Sequence, residues 1–230
     1  MYSDNRVKTA VEYDSGLRDF MLGVFNNMSL GLAVSAIIAL FVASNPALLA
    51  LFFAGPQKWI VILAPLAIVF FISFRIDSLS PAVARVWFYV FAAVMGLSLS
   101  TVFVVYKAGS IATVFFATAG MFGAMSIYGY TTKRNLTSYS SFFMMALWGL
   151  IIAMLINLFV QSSAIAMILS MVSVLLFAGL TAYDVQMLQQ IYYQTNDQDR
   201  ERAGILGALA LYLDFINIFL SLLQLMGEKE

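Results

Sequence analysis

The sequence predicts an all-α integral membrane protein with seven transmembrane helices. Hydrophobic residues make up 62% of its 230 positions and charged residues only 10%, whereas soluble domains run near 45–50% apolar and about 25% charged. The apolar residues are gathered into stretches of bilayer length, about 20 residues each. Backbone groups in lipid must be satisfied within their own segment, so these stretches read as helices.

Taken in order, the spans are 24–43, 59–74, 87–106, 111–130, 140–160, 164–193 and 205–226. The connections are short and carry no Pro/Ser-rich linker, so the organisation is one domain, 24–230, behind a polar tail, 1–23, read as a mobile or amphipathic lead-in. That tail is not a cleaved signal, because the first apolar stretch is of spanning length and lacks a small-residue cleavage pattern. The absence of cysteine excludes disulfides and thiolate chemistry. The thirteen methionines are scattered through apolar segments as filler. No internal repeat is evident.

Basic residues set the expected orientation. With seven spans, Arg6, Lys8, Arg18, Arg75, Arg85, Lys133, Arg134, Arg200 and Arg202 share one side, and Lys58, Lys107 and Lys229 the other. The excess of positive charge marks the cytoplasmic side, so the N-terminus is expected inside and the C-terminus outside, unless the last segment is re-entrant.

Two aspartates, Asp184 and Asp214, lie inside the last two spans. A carboxylate near the bilayer centre costs about 2.5–3.5 kcal/mol on insertion scales, so it is rarely without purpose. Each lies nine residues from the cytoplasmic edge of its segment, about 13 Å at 1.5 Å per residue, so the two are expected at matched depth on antiparallel neighbours. Two carboxylates at close range in a low dielectric cannot both stay ionised and titrate as a unit. Deprotonated, they are hard anionic ligands suited to Ca²⁺. Asn217, Tyr183 and Tyr212 are candidates for further oxygens or hydrogen bonds. The structural alternatives are that segment six stops at Tyr183, leaving Asp184 at the interface, or that Asp214 serves only to lock helix packing. Arg75, at the end of segment two, either snorkels to headgroups or pairs with an aspartate to hold a pathway shut. Small residues in segments three and four, among them Gly96, Ser98, Gly120 and Gly123, permit close helix approach.

The run from Phe122 to Thr137, FGAMSIYGYTTKRNLT, resembles the hallmark segment of the Bax inhibitor family, the transmembrane Bax inhibitor motif proteins, in its bacterial branch. FAGLTAYDVQ at 177–186 and ALYLDFINIF at 210–219 resemble its last two helices, and MGLSLS at 95–100 its third. The resemblance covers most of the chain from about residue 18. It implies seven helices with the last one central, a bacterial inner-membrane location and a pH-sensitive passive calcium leak. It also implies that Asp184 and Asp214 form the proton- and calcium-responsive dyad, with Arg75 as the matching latch. Calcium and protons are then the implied ligands, with no resident cofactor and no nucleic acid; a link to a membrane-bound protease is known among bacterial relatives.

Other classes compete. An intramembrane aspartyl protease also uses two aspartates, and Tyr183-Asp184 matches half of its signature, but Leu211-Tyr-Leu-Asp214 stands where Gly-x-Gly-Asp is required. No enzyme is therefore expected. A proton-coupled transporter wants a broken helix near the midplane, which segment seven lacks. A non-transporting partner of another membrane protein suits the small-residue faces.

Overall fold

The computed structural model describes residues 2–230; the side chains of residues 2–14 and of Asp77, Asp197 and Gln198 lie outside the description. The helices are α1 (Tyr2–Ala43), α2 (Pro46–Phe53), α3 (Lys58–Arg75), α4 (Pro81–Leu99), α5 (Val102–Val105), α6 (Ala108–Thr131), α7 (Ser140–Val160), α8 (Ser163–Gln194) and α9 (Asp197–Met226). Seven stretches are long and apolar enough to span a membrane, and α5 continues the third of them after a break at Ser100. The protein is thus an all-α, seven-span bundle.

Helix α9 occupies the centre and is the most buried span. α1, α4, α6 and α8 pack around it, while α3 leans chiefly on α4, and α7 on α8. In lipid, helices gain little by hiding apolar surface, so association depends on close packing and a few polar contacts. At Gly96 of α4 a Cβ would stand 2.5 Å from the Ser35 carbonyl of α1, and at Gly129 of α6 it would stand 2.8 Å from the Cα of Ala182 in α8. Only glycine permits these backbone crossings. The other small residues behave differently, since Gly120 and Gly123 face open space.

Buried hydroxyls join the helices across the same crossings. Ser35 Oγ lies 2.6 Å from Tyr212 Oη and 2.6 Å from the Ala92 carbonyl, tying α1 and α4 to α9. Ser221 donates to Ser173 at 2.8 Å between α9 and α8. Bonds of this kind in membranes average about 0.6 kcal/mol and reach about 1.7. Pro65 inside α3 removes the amide that would satisfy the Val61 carbonyl, and Ser98 of α4 donates to that oxygen at 2.6 Å. A proline that would expose a backbone group to lipid is thereby repaired from the next helix.

The boundary of the polar tail moves. Leu17, Met21, Val24 and Met28 are all buried, and the Phe20 ring packs on Tyr192 at 5.5 Å, so α1 joins the bundle from about residue 17 and not from 24. The spacing of those four residues is a helical stripe that crosses the expected boundary. Residues 1–14 of the expected lead-in lie outside the described side chains.

Loop contacts group the ends as alternate crossings require. Arg202 Nε donates to the Leu79 carbonyl at 3.0 Å, joining the α8–α9 turn to the α3–α4 turn. At the other end Lys107 pairs with Glu228 at 3.0 Å, and Tyr106 forms a bridge with Lys229. The last segment therefore runs the full length of the bundle and is not re-entrant.

Two substitutions test this packing. Ser98→Ala leaves the Val61 carbonyl without its donor, costing about 1–3 kcal/mol for an unsatisfied buried group; a lower melting temperature in detergent is expected, with recovery in Ser98→Thr. Gly96→Ala drives a methyl into the Ser35 backbone and should lower folded yield strongly, whereas Gly149→Ala, which faces open space, should not.

Candidate functional site: the α8–α9 carboxyl pair

The register of α8 against α9 is set by three contacts. Ser173 meets Ser221, Thr181 lies within hydrogen-bonding reach of Asp214, and Leu188 packs where Gly207 leaves room. Steps of seven or eight residues along α8 are matched by steps of seven back along α9. This register sets the carboxyl groups of Asp184 and Asp214 beside each other across the α8–α9 contact. α8 continues through Tyr183 to Gln194, so Asp184 lies inside the span and not at its interfacial end.

The matched depth expected from counting is corrected by one turn. α9 begins at Asp197, earlier than the apolar run suggests, because Asn196 caps it by accepting from the Asp199 amide at 3.0 Å. Asp214 consequently stands opposite Thr181, about one helical turn farther from the α8–α9 hairpin than Asp184.

The two carboxyls differ in surroundings. Asp214 is 4% exposed, and its Oδ2 is buried with no hydrogen-bond partner among the described residues. Asp184 is half-buried and lines a cavity of about 200 Å³. Met187, Ile191, Ala203 and Gly207 complete that cavity on the hairpin side. Thr181, fully buried beside Asp214, has one hydroxyl hydrogen and donates it to the Phe177 carbonyl at 2.8 Å. Asp214 can gain that donor only if the helix back-bond is given up.

The three supporting candidates point elsewhere. Tyr212 turns to the opposite side of α9, where it meets Ser35 and the rings of Phe88 and Phe91. Tyr183 stacks at a tilt on Phe143 of α7 at 5.5 Å. Asn217 donates back to its own helix at the Leu213 carbonyl, 2.8 Å away. Successive residues on a helix are 100° apart, so Tyr183 and Tyr212, one and two residues from an aspartate, turn to other faces, whereas Asn217, one turn from Asp214, spends its amide on the helix backbone.

Arg75 is not brought to the pair. Its side chain is exposed at the end of α3 and makes no ion pair among the described residues. The reason is the lean of α3 on α4, pinned by Ser98. No third Asp, Glu, His or Cys joins the two carboxyls among the described residues. Two carboxyls suit a weakly held, passing cation better than the six to eight oxygens of a resident calcium cage.

Sequence reasoning overlooked two glutamines. Gln186 accepts from the Leu136 amide at 2.6 Å and donates to the Arg134 carbonyl at 2.8 Å, and Gln189 donates to the Tyr130 carbonyl at 3.1 Å. Together with the Gly129–Ala182 crossing they clamp the end of α6 and its following loop to α8 beside Asp184. Their signal was available, since Gln186 and Gln189 lie two and five residues from Asp184 within a membrane-length helix.

The family model for "Inhibitor of apoptosis-promoting Bax1" matches residues 17–230. An Escherichia coli K12 protein described as "Inner membrane protein YbhL" is 42% identical over 229 residues, covering 98% of each chain. An uncharacterized Deinococcus radiodurans protein is 44% identical over 215 residues, 93% of this chain and 92% of its own. A Rickettsia prowazekii protein is 40% identical over 219 residues, 95% and 93%. The matches run through the seven spans and both aspartate-bearing helices, and this integral membrane protein belongs to the Bax inhibitor family.

Proposed function

We propose that this protein is a passive, pH-sensitive leak for Ca²⁺ or a similar cation in a bacterial inner membrane, controlled by Asp184 and Asp214, with its N-terminus in the cytoplasm. The observation that carries this reading is the adjacency of the two carboxyls between the central helix and its closest neighbour, one deeply buried and one lining a cavity. The inner-membrane name of the E. coli relative supports the location, and the grouping of nine basic residues against three supports the orientation.

A proton bridging the carboxyls supplies Asp214 Oδ2 with a partner and leaves one net charge on the pair. Losing that proton leaves two like charges about one turn apart, which a cation relieves. Proton and cation therefore compete for the same oxygens, and pH shifts the population between two arrangements of the site. Arg75 enters as a latch only in an arrangement where α3 swings toward α8. A second reading, a non-transporting partner of another membrane protein, draws on α7, the least buried span, whose Gly149 faces open space.

Ca²⁺ uptake into proteoliposomes across a pH series tests both. The wild type should show flux that varies several-fold with pH, and Asp214→Asn should retain flux while flattening that profile. Full wild-type pH dependence in the variant removes Asp214 as sensor, and no flux at any pH favours the partner reading. An aspartyl protease would instead lose all cleavage in Asp214→Asn. Arg75→Ala should raise flux near neutral pH if the latch operates; unchanged flux at normal protein level returns Arg75 to a headgroup role.

A further inference from the structure

Around α9 the packing is uneven. α1 and α6 both press against the central helix, yet they scarcely meet each other. The space between them holds three cavities in series. One of about 570 Å³ lies between Arg18 to Phe25 of α1 and Phe122 to Thr131 of α6. The next, about 330 Å³, follows from Phe25 to Ala36. The third, about 380 Å³, extends to Leu40 and Ala108 and is floored by Phe215 and Phe219 of α9. Neighbouring cavities share residues (Phe25 and Phe122, then Leu32 and Phe115), so they form one furrow along α1.

The lining changes character along its length. Arg18, at the end nearest the α8–α9 hairpin, is the only charged residue in all three cavities. Its side chain is exposed and has no acidic partner among the described residues, although Asp19 is adjacent in sequence. Tyr130 and Thr131 stand at the same end, and Lys133 and Arg134 follow in the next loop, both exposed. Beyond Ser126, whose buried Oγ has no partner, the furrow is walled mainly by Phe, Leu, Ala and Ile. From Arg18 to Leu40 the furrow is about 33 Å long at 1.5 Å per residue, close to the roughly 30 Å hydrocarbon thickness of both leaflets, so an acyl chain anchored at Arg18 and confined to one leaflet fills the half that Phe25 and Phe122 line.

We infer that the Arg18 half of the α1–α6 furrow is a binding site for an anionic phospholipid, its headgroup at Arg18 and an acyl chain running along Phe25 and Phe122. Arg18 supplies charge and paired donors to the phosphate. The rings give an apolar wall to the chain. The site is separate from the carboxyl pair and does not rest on the leak reading.

Two glycines make the test clean. Gly123 lines the furrow and a side chain there meets nothing within 4 Å, while Gly149 on α7 is equally open but remote. The full chain, delipidated in detergent, is titrated with palmitoyl-oleoyl phosphatidylglycerol or the matching phosphatidylcholine and examined by native mass spectrometry. A one-to-one phosphatidylglycerol adduct is expected on the wild type and on Gly149→Leu, at least tenfold weaker on Gly123→Leu. Arg18→Gln should erase the preference for phosphatidylglycerol over phosphatidylcholine. Equal adducts on both glycine variants overturn the site, as does an unchanged headgroup preference in Arg18→Gln, which decides the matter alone if Gly123→Leu fails to fold. A wild-type dimer that Gly123→Leu abolishes, with no lipid adduct, would assign the furrow to a second copy of the chain instead.

Discussion

A bilayer gives helices almost no reward for hiding apolar surface, so the central position of α9 has to be secured by contact at short range. The hydroxyl pairs Ser35–Tyr212 and Ser173–Ser221 do this, inside a ring of helices drawn together by the α4–α1 crossing at Gly96 and the α6–α8 crossing at Gly129. The Ser173–Ser221 bond fixes the register of α8 on α9. That register in turn places Asp214 beside Thr181 and one turn from Asp184. A slip of one residue would rotate one carboxyl about 100° away from the other, so the chemistry of the pair depends on small residues well outside it.

The cost of burying Asp214 is spread over the same network. Its neighbours on the inward face of α9 are Leu211, Phe215 and Ile218, all buried and unable to hydrogen-bond. Only Asp184 and Thr181 offer polar atoms, and Thr181 is committed to its own helix. Asp214 is therefore enclosed by apolar side chains, while Asp184 lines a cavity, so the two carboxyls differ in access.

Much of the fold was legible because its signals are one-dimensional. Apolar run length found all seven spans to within a few residues at most ends, and the two aspartates stood out as charges in apolar helices. The misses have physical causes. α9 starts early because an Asn196 cap extends it through polar residues that hydropathy excludes. α1 joins the bundle before its apolar run because Leu17 and Met21 carry the buried stripe through a charged stretch. Tyr183 and Tyr212 were near the aspartates in sequence but on other faces, since which face of a membrane helix is inward cannot be read where every face is apolar, and Asn217 shares the face of Asp214 but bonds to its own backbone. Gln186 was readable in kind but not in role, because its partners are backbone groups fifty residues away.

Pro65 gives α3 a pivot. Ser98 holds the helix to α4 at the carbonyl the proline leaves unpaired, and Ile72 and Ile76 beyond it are buried. Arg75 sits ten residues past the proline, a lever arm of about 15 Å. A change in kink of about 20° over that arm would displace the guanidinium by about 5 Å and would have to draw Ile72 and Ile76 out of the core. The charge at the end of α3 is therefore held in place from two directions, by the Ser98 contact at Val61 and by the anchored Ile72 and Ile76.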